Sequence, residues 1–459
     1  MSAASSAPVA LTPAALPPAG RAALRAGVVG NFIDNVHVFL PVTALAPAML
    51  VLAGPGATAS TAALIIVAML FGRPVGGIVF GRISDRLGRT RTTRVAIAGT
   101  AACALAIAAT PTHELLGGGT VALVLLLRFL CGIFVAGEYS AAIPLAMEWS
   151  PPRRRGLMSG LILSMAPWAQ ASIAFAVAVL LALLGPEHYA AWGWRALFVL
   201  GAVLSLGMLV YYGRHVVDAP MPPRRDTRRD APRDPAPTSE GARSAPTLRS
   251  LVSGSWAPAF WQVFVLMTGL WLLTDTTVLL LTERLNQDSP LDPTAVPVVM
   301  GLASVAQALA MAAAGHLSTL TGRRRLLVIW GAAAAVAGPV LWWCAVHAPT
   351  LAAAAACAAL LQVVTVSAYG PVSAYLSERF PTEIRSTGYG AGYSLSLVLP
   401  ALYPFYVPAL TPWLGQHGTV LVLVALGGVL VVVGAALGPR LSGRELDADL
   451  DTVALGGRR

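Results

Sequence analysis

The stretch 118–147 contains one arginine, Arg128, and one carboxylate, Glu138, in a run otherwise free of charge. An α-helix rises ~1.5 Å per residue, so about 20 such residues cross the ~30 Å of hydrocarbon in a bilayer. In lipid every backbone N–H and C=O must be bonded within the protein, which leaves the helix as the natural form of a run like this. The pattern recurs at about 26–52, 60–82, 92–110, 118–147, 157–184, 194–213, 257–284, 295–319, 326–346, 350–377, 387–410 and 418–438. Twelve such spans predict an all-α integral membrane protein.

Composition agrees with that reading. Of 459 residues 56% are hydrophobic and 11% charged, where a soluble domain carries about 25% charged residues. The net charge of +10 would suggest a nucleic-acid partner in a soluble protein. Here the arginines lie in short loops between apolar runs, where they set orientation, and no nucleic-acid role is expected. Cys103, Cys131, Cys344 and Cys357 are scattered singly inside spans, without metal-ligand spacing, and read as packing residues. The chain has no lysine for a nucleotide-binding loop, and His113, His188, His316, His347 and His417 stand singly in loops or at span ends. Neither an enzyme nor an ATP-driven pump is expected, and no metal or cofactor.

Arg86, Arg89, Arg91 and Arg94 follow the second span, Arg153 to Arg155 the fourth, and Arg323 to Arg325 the eighth. The alternate loops, near Gly54, His113, Asp288, His347 and Gln416, carry almost none. The positive-inside rule then predicts cytoplasmic N and C termini and a cytoplasmic (inner) membrane location. Residues 1–25 read as a disordered cytoplasmic tail, 26–213 as a first six-helix bundle and 214–256 as a Pro/Arg/Ser-rich cytoplasmic linker. Residues 257–438 read as a second six-helix bundle and 439–459 as a cytoplasmic tail.

The halves echo one another. Gly81-x-x-Ser-Asp-x-x-Gly-Arg-x-Arg91 aligns with Gly315-x-x-Ser-Thr-x-x-Gly-Arg-Arg-Arg325 at an offset of 315 − 81 = 234 residues. Glu148-x-x-Pro-x-x-x-Arg155 aligns with Glu378-x-x-Pro-x-x-x-Arg385. Two six-helix bundles related by a parallel repeat, with a site near the midplane between them, form a transporter architecture.

Three stretches carry a family resemblance: Arg73-Pro-Val-Gly-Gly-x-x-Phe-Gly-x-x-x-Asp-Arg-x-Gly-Arg89, Arg128-x-x-x-Gly-x-x-x-x-Gly-Glu-Tyr139 with Glu148-x-x-x-x-x-x-Arg-Gly156, and Glu378-x-Phe-Pro-Thr-x-x-Arg-x-x-Gly388. With Trp192-Gly-Trp-Arg195 they cover both halves. The chain resembles the major facilitator superfamily, and within it the metabolite–proton symporter branch. That resemblance implies proton-driven uptake of a small organic acid or zwitterion by alternating access. The first span departs from the branch: where the pattern reads Gly-Asn-x-x-Glu-Trp-Phe-Asp-Phe, this chain has Gly30-Asn31-Phe32-Ile33-Asp34-Asn35-Val36-His37-Val38. One acid is shortened, the tryptophan is asparagine and the second acid is histidine.

Ionisable groups within a bilayer are costly unless paired or hydrated, which marks them as functional candidates. Counting ~1.5 Å per residue from the inner span ends puts Asp34, Arg73 and Glu138 at one level, some 12–16 Å deep. Arg73 and Glu138 are expected to pair, either as a fixed salt bridge between helices or as a working couple in which Arg73 holds a substrate carboxylate. Arg128 is a second anion-binding candidate. Asn31, Asp34, Asn35 and Val38 share a helix face, and His37 is expected beside Asp34, which nominates Asp34, His37 and Glu138 for proton coupling. Further substrate-binding candidates are Tyr139, Trp168, Gln170, Asp275, Gln307, Gln362, Tyr369 and Tyr393, with Tyr375 and Tyr389 nearby in sequence.

Gly81, Asp85, Arg86, Gly88, Arg89, Arg155, Arg323, Glu378 and Arg385 form the expected cytoplasmic gate. In it Asp85 accepts from arginines or caps the exposed amides of a helix in the other half, and Thr319 stands at the equivalent position of the second copy. The expected protein is a proton-coupled symporter importing a small organic acid or zwitterion, working as a monomer, with protons, one small molecule and the lipid bilayer as its partners. The alternatives are a proton-coupled exporter of a drug or secondary metabolite on the same fold, and a non-transporting receptor or scaffold.

Overall fold

The computed structural model describes residues 16–55, 59–219, 248–288, 295–440 and 448–456. The expected tail up to residue 15 and most of the expected linker, 220–247, lie outside them. Among the described residues there is no strand. The rods of the first half are α1 (Pro18–Thr43), α2 (Ala59–Leu87), α3 (Arg89–Ala108), α4 (Gly119–Trp149), α5 (Arg155–Leu163 continuing as Met165–His188) and α6 (Trp194–His215). The second half holds α7 (Ala257–Thr274 running through a π-turn into Leu281–Gln287), α8 (Val296–Thr321), α9 (Arg323–Val346), α10 (Leu351–Thr365, then Val372–Arg379), α11 (Arg385–Leu395, Val398–Ala401 and Tyr403–Leu414) and α12 (Gln416–Ala436).

Eight helical stretches are long and apolar enough to cross a membrane, or ten if each of two bent pairs counts as one span. One of the eight, Pro152–His215, contains both α5 and α6, and α3 falls outside the set because it opens on the arginine cluster. Two expectations need correction. The first rod begins at Pro18, inside the segment expected to be a disordered tail, because Pro at a helix start costs no hydrogen bond. The expected C-terminal tail contains a short helix, α13 (Leu450–Gly456), whose Leu450, Val453 and Ala454 are buried at helical spacing against α10.

Small residues set how closely the rods approach. In lipid there is little hydrophobic drive between helices, and close backbone packing supplies the attraction instead. Gly72 and Gly76 of α2 rest on the α4 backbone, where a methyl group at Gly76 would strike the Ile133 carbonyl. Between the halves, a methyl at Gly77 would stand 2.5 Å from the Gly390 carbonyl oxygen of α11. Gly156 of α5 meets Gly315 of α8 in the same way. The halves thus touch along α2–α11 and α5–α8.

Two irregularities aim side chains inward. Thr276 and Thr277 donate to the carbonyls of Leu272 and Leu273 at 2.7 Å each, and helix 7 opens there into the π-turn Asp275–Leu280. Hydroxyl back-bonding of this kind bends helices, and π-turns recur at functional sites. Helix 10 breaks at a 3₁₀ turn, Val366–Tyr369, just before Gly370 and Pro371, since Pro371 has no N–H to continue the ladder.

The packing makes a signed prediction. Gly76→Ala should destabilise the protein by about 1–3 kcal/mol through overpacking, whereas Gly207→Ala, where nothing lies within 4 Å, should be neutral or slightly stabilising. Thermal unfolding of the two variants in detergent checks the contrast.

A candidate substrate cavity and its gate

The glycines of α2 bring Arg73 to the seam between the halves, where it is 3% exposed. Its guanidinium lies 5.0 Å from the ring centres of Tyr139 and Trp271 and 5.8 Å from that of Tyr393. Tyr139 and Tyr393 stack across the seam at 5.2 Å, and the Trp271 indole N–H donates to the Tyr393 carbonyl at 2.9 Å. A cation over aromatic faces gains roughly 0.5–2 kcal/mol per contact, more when desolvated. Arg73 makes no ion pair among the described residues, and its Nε has no partner.

These groups border a central cavity of about 860 Å³, counting the part open to solvent. The first half lines it with Asn35, Val38, Phe39, Met69, Arg73, Arg128, Tyr139 and Gln170, and the second with Trp271, Thr274, Asp275, Gln307, Met311, Tyr369 and Tyr393. Arg128, 1% exposed, donates to the His37 carbonyl at 3.0 Å and to the Met69 sulfur at 2.7 Å, with no carboxylate in contact among the described residues. Among the described residues Asp275 Oδ2 and Gln307 Oε1 are buried without partners. Buried polar groups are normally bonded, so a cluster of open ones around a cavity is a surface ready for a polar ligand.

Behind the cavity wall the carboxyl groups of Asp34 and Glu138 lie within hydrogen-bonding reach of each other. Glu138 also accepts from the Thr100 hydroxyl at 3.1 Å, while Asp34 Oδ1 has no donor. Neither acid lines the cavity, but the next residue on each helix does: Asn35 after Asp34, Tyr139 after Glu138. Asn35 Nδ2 donates to the Tyr139 hydroxyl at 2.7 Å.

Several sequence-based expectations change here. Arg73 and Glu138 do not pair: successive residues on a helix diverge by about 100°, so Tyr139 takes the cavity side and meets Arg73 while Glu138 turns into the first half. His37 does not join Asp34, because its ring bonds the Ser205 hydroxyl at 2.8 Å. Asn31 and Trp168 lie off the cavity, and Asn31 donates to the Ile162 carbonyl at 2.5 Å. Gln362 is buried away from the cavity with its amide unpartnered, and nothing in the structure explains it. Trp271 was missed; its one signal is an indole in mid-span, away from the interfacial belts where tryptophan usually anchors.

The arginine-rich face holds a second polar cluster. Asp85 accepts from the backbone N–H of Ser386 (3.0 Å) and Thr387 (2.8 Å) and from the Thr387 hydroxyl (2.7 Å), so it caps the first turn of α11 from the other half. Gly81 lies beneath the same turn, and Gly88, at φ 95°, lets α2 turn sharply into α3. Glu148 binds Arg89 at 2.8 Å and Arg385 at 2.5 Å, and Arg385 also binds Asp451 of α13 at 2.6 Å. In the second copy of the repeat, Glu378 holds Arg323 through two contacts and Arg155 at 3.9 Å. Arg86, expected in this cluster, is exposed and makes no ion pair among the described residues, because it points off the seam. Asp451 lies in a segment that reads as solvated tail, which hid it.

Two helical halves around a central, largely apolar cavity that carries a few polar and charged groups, tied together on one face by ion pairs, define a secondary transporter. The family profile of the Major Facilitator Superfamily matches residues 35–395, and the chain belongs to that superfamily. It is 27% identical over 434 residues to the inner membrane metabolite transport protein YhjE of Escherichia coli K12, covering 89% of this chain and 92% of that one. It is 35% identical over 147 residues to the glycine betaine/proline/ectoine/pipecolic acid transporter OusA of Dickeya dadantii, 32% of this chain and 29% of that one. Among solved structures, the proton:xylose symporter XylE superimposes with a TM-score of 0.74 at 15% identity, over 96% of this chain and 99% of that one.

Asp85→Asn removes the charge at the α11 N-terminus and sets an amide against its donors. Turnover should fall about tenfold with apparent substrate affinity changed less than about threefold. Initial transport rates set against equilibrium binding separate the two effects.

Proposed function

We propose that this protein is a proton-coupled symporter that imports a small carboxylate-bearing metabolite by alternating access. The observation that carries the reading is the pairing of two layers: a cavity in which Arg73 and Arg128 have no carboxylate partner among the described residues, and an acid pair, Asp34 and Glu138, directly behind its wall.

A guanidinium offers parallel donors that fit a carboxylate, and one bound between the halves would satisfy groups that otherwise stay open. Two guanidinium groups against one carboxylate, Asp275, give the cavity an excess of positive charge, which favours an anionic group on the substrate. Asp275 and the Trp271 and Tyr369 rings form a wall suited to a cationic end, so a zwitterion fits as well as a simple acid. The molecules named for OusA all carry a carboxylate, which supports this class.

Two buried carboxylates in contact repel when both are charged, and a shared proton removes the repulsion while giving Asp34 Oδ1 its missing donor. The arginine-rich face is the cytoplasmic one by the positive-inside rule, and its ion pairs hold that side shut. Loading from outside would add substrate and proton, after which the latch on Asp85 and Glu148 breaks and the cargo leaves inward. Coupling of this kind requires that substrate and proton each favour one conformation over the other.

The test is uptake into proteoliposomes of a labelled compound drawn from a thermal-shift panel of organic acids, betaines and amino acids. Accumulation should need an inward proton gradient, collapse with a protonophore, and be lost in Glu138→Gln. Uptake indifferent to the protonophore would overturn proton coupling, and accumulation driven instead by protons leaving inside-acidic vesicles would favour the exporter, which exchanges substrate against protons.

A further inference from the structure

The two layers of the site are separated by one residue step on each of two helices. Asp34 and Asn35 are neighbours on α1, Glu138 and Tyr139 on α4, and the Asn35 amide joins the Tyr139 hydroxyl at 2.7 Å. Resting on the proton-coupling reading above, we infer that the Asn35–Tyr139 hydrogen bond is the relay that passes the protonation of Asp34 and Glu138 to the substrate cavity.

The geometry restricts the routes. The charged or titratable groups facing the acid pair are Arg73 from α2, Cys131 and Tyr139 from α4 and Tyr212 from α6, with the Thr100 hydroxyl from α3. His37, on α1 itself, turns to Ser205. Cys131 and Tyr212 do not line the cavity. Tyr139 does, and its ring is the floor under Arg73 and the stacking partner of Tyr393 in the other half. Asn35 is held in turn by the Asn31 carbonyl at 2.7 Å, which fixes its amide toward α4.

A proton between the two carboxyls draws α1 and α4 together at that level, and its loss pushes them apart by like-charge repulsion. The next contact along the same helices is Asn35 to Tyr139. Shortening or breaking it shifts the Tyr139 ring, and with it Arg73 and the stack on Tyr393. Asn35 and Tyr139 are therefore positioning residues for the coupling as well as cavity wall. Direct attraction between Arg73 and Asp34 is the competing route, and it survives loss of the Tyr139 hydroxyl.

The test needs no known substrate. Trp271 touches Tyr393 and Arg73, and its fluorescence, taken as wild type minus Trp271→Phe on the full-length protein, reads the cavity as pH moves from mildly acid to mildly alkaline. Wild type should show a pH-dependent change that Glu138→Gln abolishes. Tyr139→Phe, which removes one oxygen, and Asn35→Ala should each reduce that change about fivefold, the size expected of one hydrogen bond, with thermal unfolding confirming that each variant is folded. A full-size change in both variants, with loss in Glu138→Gln, would overturn the relay and leave proton coupling standing. A full-size change in Glu138→Gln would instead overturn the acid pair as the proton site, and a wild type with no change would show that nothing is relayed.

Discussion

A guanidinium held near the middle of a membrane without a carboxylate is the constraint on which this structure turns. An unpaired charge at that depth is expensive, and Arg73 survives there because three aromatic faces at the edge of the cavity stand in for the missing acid. Two of those faces, Trp271 and Tyr393, belong to the second half while Arg73 belongs to the first. Tyr139 of the first half stays with Arg73 in any case, but the full set of rings surrounds the charge only when the halves stand close. Close approach in turn depends on Gly77 and Gly390, whose backbones leave no room for a side chain.

The repeat in the sequence and the chemistry in the structure part company at the site. Both halves keep the Gly-x-x-Ser segment and a glutamate three residues before a proline, Glu148 before Pro151 and Glu378 before Pro381, and both use that glutamate to bind arginines. Asp85 has no acidic counterpart, and Thr319 Oγ1 is buried without a partner where Gly156 packs against it. The acid pair Asp34 and Glu138 also belongs to the first half alone, while the second contributes Asp275, Gln307 and most of the rings. In the proposed cycle, this division of labour between nearly equivalent bundles lets a proton act on one wall while the cargo touches both.

Much of this was legible in the chain. Apolar runs of membrane length, arginine spacing and the internal echo were enough for the helices, the family and the half-by-half order, because lipid leaves the backbone few choices. The charges Arg73, Asp34, Glu138 and Arg128 stood out for the same reason. Partner choice did not: Arg73 with Glu138 and Asp34 with His37 are reasonable by depth and spacing, yet the first depends on helix rotation and the second on Ser205, far away in sequence. Spacing along one helix says which side chains share a face, and says nothing of what the neighbouring helix offers. Trp271 and Asp451 were invisible because an indole in a span and an aspartate in a tail have many ordinary uses.

The latch on the arginine-rich face shows why such a machine can be bistable. Buried ion pairs such as Glu148 with Arg89 and Arg385 look like strong locks, but each charge gave up hydration to enter the pair, and the net gain is small. When the face opens, water returns to the same groups and recovers most of that loss. Asp85 is different, since it also caps backbone amides at the α11 N-terminus that need an acceptor in either state. The ion pairs therefore give register at low net cost, and the cap gives direction: it is satisfied by protein when the face is shut and only by water when it is open. A ligand acting on the cavity has only that modest difference to overcome, and this is what a carrier that must visit both states in every cycle requires.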